Sequence, residues 1–125
     1  MGYRSDIGLA LTKEAVVTLH HKLSKMDKNS IDYQNVIYML SYPEKHLTDT
    51  DSGAEVYLWS SLKWYHGYPE IDFFEELMDR LDPEQYLFCC IGENLDDAKE
   101  RGAFWDNPFD LGILRTITMA EPSHS

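Results

Sequence analysis

Cysteine is nearly missing from this 125-residue chain: there are two, Cys89 and Cys90, and they are adjacent. The apolar run 86–91 that contains them reads as a strand, in which neighbouring side chains point to opposite faces. A structural disulfide between them is therefore not expected, and no third cysteine offers another pairing. The thiols read as two small core hydrophobes of a reducing compartment. Long apolar runs are missing too. No stretch approaches the roughly 20 residues that a membrane-spanning helix needs, and the N-terminus lacks the charged segment and apolar run of a signal peptide. The myristoylation pattern that Met1-Gly2 opens wants Ser or Thr at the sixth position, where Asp6 stands. These absences predict a cytoplasmic protein.

Motifs of chemistry are equally scarce. Seven glycines are scattered singly, so there is no glycine-rich phosphate cradle, and no G-x-S-x-G nucleophile turn occurs. His20 and His21 are neighbours that point about a quarter-turn apart on a helix, His46 and His66 lie in other elements, and no H-E-x-x-H or C-x-x-C spacing appears. The order D-T-D-S-G-A-E from Asp49 to Glu55 resembles the start of a calcium loop. The bidentate glutamate that such a loop needs at its twelfth position is replaced by Ser60, so the segment reads as a solvated turn. The expectation is a protein without cofactor or metal and without catalysis.

Acid is abundant. The chain carries 22 Asp and Glu against 11 Lys and Arg, a net charge of -11. Residues 70–110 hold thirteen acids against three bases, so nearly all of the excess belongs to one segment. A negative patch of this kind repels nucleic acid and anionic membranes and steers basic protein surfaces toward itself. The plainer role of such acids is to keep a small protein soluble. At 43% hydrophobic and 13% aromatic the chain has enough apolar surface to build a core.

The pattern predicts one α+β domain over residues 1–120, followed by a flexible tail, 121–125. Ile7, Leu9 and Leu11 alternate as in a half-buried strand; Thr12 stands at a helix N-cap, and Val16, Leu19, Leu23 and Met26 recur on one helical face. Residues 33–42 are rich in β-branched and aromatic side chains, stop at Pro43, and read as a strand. Residues 47–53 read as a loop or hairpin tip, and 55–65 as a further strand. Pro69 opens the clearest helix, with Ile71, Phe74, Leu77, Met78 and Leu81 inward, and Asp82-Pro83 closes it. Its other side carries Asp72, Glu75, Glu76 and Asp79, spaced by three and four, as an acidic stripe. Residues 86–91 read as a strand, 92–107 as a polar excursion with one helical turn, and 111–119 as a last strand. The order β-α-β-β-α-β, with an extra C-terminal strand, matches the ferredoxin-like split βαβ arrangement, an antiparallel sheet covered on one face by two helices.

The aromatic cluster Trp59, Trp64, Tyr65, His66 and Tyr68 has three readings: core packing, a protein-binding hot spot, or base stacking, the last opposed by the charge and by the missing RNA-recognition strand motif. Three segments resemble small acidic proteins encoded by bacteriophages and prophages. They are Met1-Gly2-Tyr3-Arg4-Ser5-Asp6, the block from Leu58 to Glu70 (LWSSLKWYHGYPE) and Ile91-Gly92-Glu93, together about a fifth of the positions. The resemblance implies a phage setting, in which short acidic proteins often bind and block a host enzyme, some by imitating the charge of DNA.

The leading expectation is thus a non-catalytic inhibitor or modulator that binds the basic surface of a host defence or nucleic-acid-handling protein. Asp72, Glu75, Glu76 and Asp79 would meet the basic surface, and Trp64 and Tyr68 would anchor it. Two alternatives are an immunity or antitoxin-type partner of a basic toxin, and a small-molecule-binding protein or enzyme with a pocket on the sheet face.

Overall fold

The computed structural model describes residues 5–64, 67–92, 98–109, 111–113 and 117–118. The central strand is β1 (Ser5–Leu11), buried at every position but Asp6, as alternating apolar and small residues with neighbours on both edges require. Thr12 ends it and caps the next element: its hydroxyl accepts from the Ala15 amide at 3.3 Å and starts α1 (Lys13–Ser24). Ser30 does the same for α2 (Ile31–Ser41), accepting from the Tyr33 amide at 3.1 Å. An edge hairpin follows, β2 (Lys45–Thr48) and β3 (Glu55–Leu62), then α3 (Pro69–Arg80), one turn of 3₁₀ helix (Pro83–Gln85), β4 (Tyr86–Ile91) and β5 (Ala98–Gly102). Two short paired strands, β6 (Gly112–Ile113) and β7 (Ile117–Thr118), complete the described chain.

The five longer strands form one sheet in the order β2-β3-β1-β4-β5, every neighbouring pair antiparallel. The passage from β3 through α3 to β4 therefore skips over β1, and the passage from β1 through the first two helices to β2 skips over β3.

The expected α+β class is observed, with differences in the elements. Residues 33–42 are not a strand but most of α2. Their aromatic and β-branched content suits a sheet, yet Val36, Met39 and the partly buried Tyr33, Ile37 and Leu40 recur at helical spacing and meet the core. The sheet strand that this segment was expected to supply is the short β2, within and just before the expected loop 47–53. Three helices, not two, cover the sheet face. Within the polar excursion 92–107 lies β5, whose alternation is hidden because its side chains are charged or small. The expected strand over 111–119 appears as β6 and β7, with 114–116 and 119 outside the described residues. The expected tail, 121–125, lies outside them as well.

Alternation sorts the sheet into two unlike faces. Ile7, Leu9, Leu11, Tyr57, Trp59, Tyr86 and Phe88 point at the helices and merge with Ala15, Leu19, Val36, Phe74 and Leu77 into the main core. Trp59 organises it: its ring stacks on Tyr57 at 5.5 Å, meets Phe74 edge-on at 5.7 Å, and its Nε1 donates to the Met39 carbonyl at 2.9 Å, tying α2 to the sheet. On the reverse face Ala10, Val56, Leu87 and Cys89 are covered by Phe104 and Leu111 from the segment that follows β5. Cys89 thus lies in the reverse-face core while Cys90 packs against the helix side, the opposed placement expected of adjacent strand residues.

Two residues hold the reverse cover in place. Gly102 has φ +87 and lets the chain turn off the sheet so that the Ala103 and Phe104 amides both reach the Tyr86 carbonyl at 3.1 Å. Asn107 is buried, with 3% of its surface exposed. Its amide nitrogen donates to the carbonyls of Phe104 and Leu111, and its oxygen accepts from the amides of Phe109 and Leu111. That uses the full hydrogen-bonding capacity of the side chain, the condition for burying an Asn without loss.

Candidate protein-binding surface

Pro69 starts α3 with a fixed φ and no amide proton to satisfy, while Tyr68 supplies no side-chain cap. Asp72 reaches back instead, and its Oδ1 accepts from the Gly67 amide at 3.0 Å. The first of the four stripe carboxylates therefore shapes the entry to its own helix, besides suiting the positive helix end.

The other three divide between two flanks. Glu76 leans toward α1, where Lys22 Nζ stands 3.0 Å from its Oε1 and 5.0 Å from the centre of the Phe73 ring. Glu75 and Asp79 lean toward β5, where one guanidinium spans both: Arg101 Nη1 lies 2.8 Å from Glu75 and Nη2 lies 3.0 Å from Asp79. Arg101 is aimed there because it pairs with Phe88 in the sheet and so points to the helix face. Desolvation acts against its charge, but the Asp79 hydrogen bond and the neighbouring groups outweigh it and raise its pKa.

The stripe is thus one surface, with partial internal neutralisation. Along residues 69–84 there are seven carboxylates against Arg80, and Lys22 and Arg101 reach in from other elements. A net negative surface remains.

The two expected anchors separate. Trp64 is partly buried and packs against the core, with its ring 5.1 Å from Phe88 and 6.3 Å from Phe74. Tyr68 lies at the surface just before α3, 42% exposed. Residues 65 and 66 of the same aromatic cluster lie outside the described residues. Larger exposed apolar groups stand on α2, where Ile31, Tyr38 and Tyr42 are 70%, 68% and 70% exposed. They recur at intervals of seven and four on the side opposite Val36 and Met39. That spacing was visible in the sequence, but a helical row has no meaning in a segment read as a strand.

Between the starts of α2 and α3 and the end of α1 lies a cleft of about 480 Å³, floored by Met26 and Phe73 and edged by Asp32, Asp72, Glu76 and Lys22. The calcium-like segment is a closed turn: Asp49 Oδ2 accepts from both the amide and the hydroxyl of Ser52, which lower its pKa. Among the described residues no three His, Cys, Asp or Glu side chains are grouped as metal ligands, and no helix is long and apolar enough to cross a membrane.

No family model matches the sequence, and neither a curated protein nor a solved structure matches it.

Proposed function

We propose that this chain is a non-catalytic acidic protein-binding module whose partner presents a basic surface. The observation that carries the reading is the outward side of α3, where Asp72, Glu76 and Asp79, with Glu75 at its flank, present a carboxylate row that Lys22 and Arg101 only partly offset. Such a surface speeds encounter with cations and rejects anionic partners, nucleic acid included. The finer fold reading, a ferredoxin-like split βαβ unit, is supported by the order β2-β3-β1-β4 and its two strand-skipping passages, with α2 and β5 as additions. A phage-encoded inhibitor of a host defence or nucleic-acid-handling protein is the specific form proposed, and its phage setting rests on the sequence segments alone.

The test is retention of bacterial proteins on the immobilised chain at low salt, salt-gradient elution, and mass spectrometry. The expected result is one basic, nucleic-acid-handling protein held in stoichiometric amount, and released at lower salt from the Glu76→Gln/Asp79→Asn variant. Retention unchanged by that double variant would reduce the row to a solvated helix face.

A further inference from the structure

We propose that the outward faces of α2 and α3 form one docking surface whose occupant is a basic amphipathic helix, an apolar strip bordered by Lys and Arg. This rests on the reading above that the partner is basic, and it says where the partner is anchored.

In a chain that is 26% charged, α2 carries a single charged side chain, Asp32 at its exposed start. Its outward side carries Ile31, Gln34, Tyr38 and Ser41, with Tyr42 at the C-cap, all exposed. A helix with apolar groups on both sides reads as one covered on both sides. Here Val36 and Met39 are covered by the core, and three large side chains on the far side face solvent. The Tyr38 and Tyr42 rings lie 4.8 Å apart, a preformed aromatic pair, and the row from Ile31 to Tyr42 spans about 16 Å, three turns of helix.

The neighbouring surface selects the occupant. Helices α2 and α3 pack side by side on the same sheet face, so their outward sides point the same way. The aromatic row therefore has Asp72 and Glu76 on its border at the shared start of the two helices, while Asp79 lies on the far flank, toward β5. A desolvated aromatic centre with a charged rim is the anatomy of a protein interface, and Tyr is among its preferred anchors. The cleft at the shared start of the two helices continues the same pattern: three carboxylates and one ammonium edge an apolar floor, a fit for a Lys or Arg side chain with its alkyl stem inward. Two adjacent helices offer the groove into which a third packs.

The probe is a synthetic amphipathic Leu/Lys helical peptide of about 18 residues, five turns, titrated calorimetrically into the full chain, beside a scrambled peptide of the same composition. The patterned peptide is expected to bind at least about ten-fold more tightly than the scrambled one, and Tyr38→Ala/Tyr42→Ala is expected to abolish most of that preference. Because both rings are exposed, the double variant should melt like the parent. Asp72→Asn/Glu76→Gln is expected to keep the preference and flatten the salt dependence. Equal affinity for both peptides, or a preference that survives the tyrosine variant, overturns this surface while leaving the charge-based function standing. Failure of both peptides to bind at low salt removes this surface and the charge-based function together. A stable dimer of the chain that Tyr38→Ala/Tyr42→Ala dissociates would show that a second copy covers α2 and would overturn the proposed occupant.

Discussion

The two faces of the sheet are built on different principles. The helix face is a layer of large side chains, Trp59, Phe74, Tyr86 and Phe88, whose interlocking rings leave the three helices little choice of position. The reverse face is small, Ala10, Val56 and Cys89 among its members, and among the described residues its cover includes an irregular segment after β5, held by the Gly102 turn and the buried Asn107 amide. One face is stabilised by area and the other by a few specific contacts, so the two should fail in different ways.

The largest effect is expected at Phe74, fully buried and in contact with the rings of Trp59, Phe73 and Trp64. Phe74→Ala should cost about 3–5 kcal/mol and lower the stability of the whole domain as one cooperative unit. Denaturant melts followed by tryptophan fluorescence and by far-ultraviolet dichroism should stay coincident; separate transitions would mean that the helices are a weaker layer than the packing indicates.

On the reverse face Gly102→Ala should cost about 3 kcal/mol, since φ +87 is strained for alanine and its Cβ would stand 2.1 Å from the Tyr86 carbonyl oxygen. Asn107→Ala should cost about 2 kcal/mol, as it strands the backbone groups of residues 104, 109 and 111. Unlike Phe74→Ala, both should first raise hydrogen exchange in residues 103–111, leaving the α3 amides protected. Uniform loss of protection would show that the cover and the helix core are one unit.

A smaller effect distinguishes the faces by pH. Burial, with Glu100 and Cys90 nearby, pushes the Cys89 thiol up to about 12. The folded chain keeps that proton to about pH 12, while the unfolded chain releases it from about pH 9. Its contribution is therefore complete below pH 9 and lost as pH rises toward 12, by about 1 kcal/mol at pH 10. Cys89→Ala should flatten that part of the alkaline stability profile, and at pH 8 the native thiol should resist alkylation. Rapid labelling at pH 8 would mean that the reverse cover opens readily.

What was legible in the sequence follows the same division. Thr12, the Val16-Leu19-Leu23 row, Pro69 and the Ile71-to-Leu81 row announced α1 and α3, because a strong cap or an amphipathic period states a helix locally. The segment of α2 has apolar groups on both sides, so the binary pattern lost its helical contrast and composition favoured a strand; the Ser30 cap was the overlooked signal. The strands β2 and β5 lie at the sheet edges, where little is buried and little hydrophobic pattern is demanded. The acidic row was legible as spacing. Its counter-charges were not, because Lys22 and Arg101 approach from 54 and 26 residues away in the chain. The contact of Trp64 with Phe88 is hidden in the sequence for the same reason, since Phe88 comes to it only through the β4 pairing.

The smallest stability effect bears most on function. Arg101 holds Glu75 and Asp79 across a half-exposed gap, and a pair so open to water stabilises by no more than about 1 kcal/mol. Arg101→Met keeps the alkyl stem against the sheet and removes the charge, so its melting temperature should fall only slightly. Both carboxylates would then lose their internal partner, and the α3 face would gain one full negative charge where a basic partner approaches. Association with that partner should become faster at low salt and lose more of its rate as salt rises. Stopped-flow association across a salt series reads this directly. A steeper salt dependence at nearly unchanged stability would place Arg101 as the internal brake on the acidic surface, whereas an unchanged one would place the partner away from the β5 flank of α3 and closer to α2.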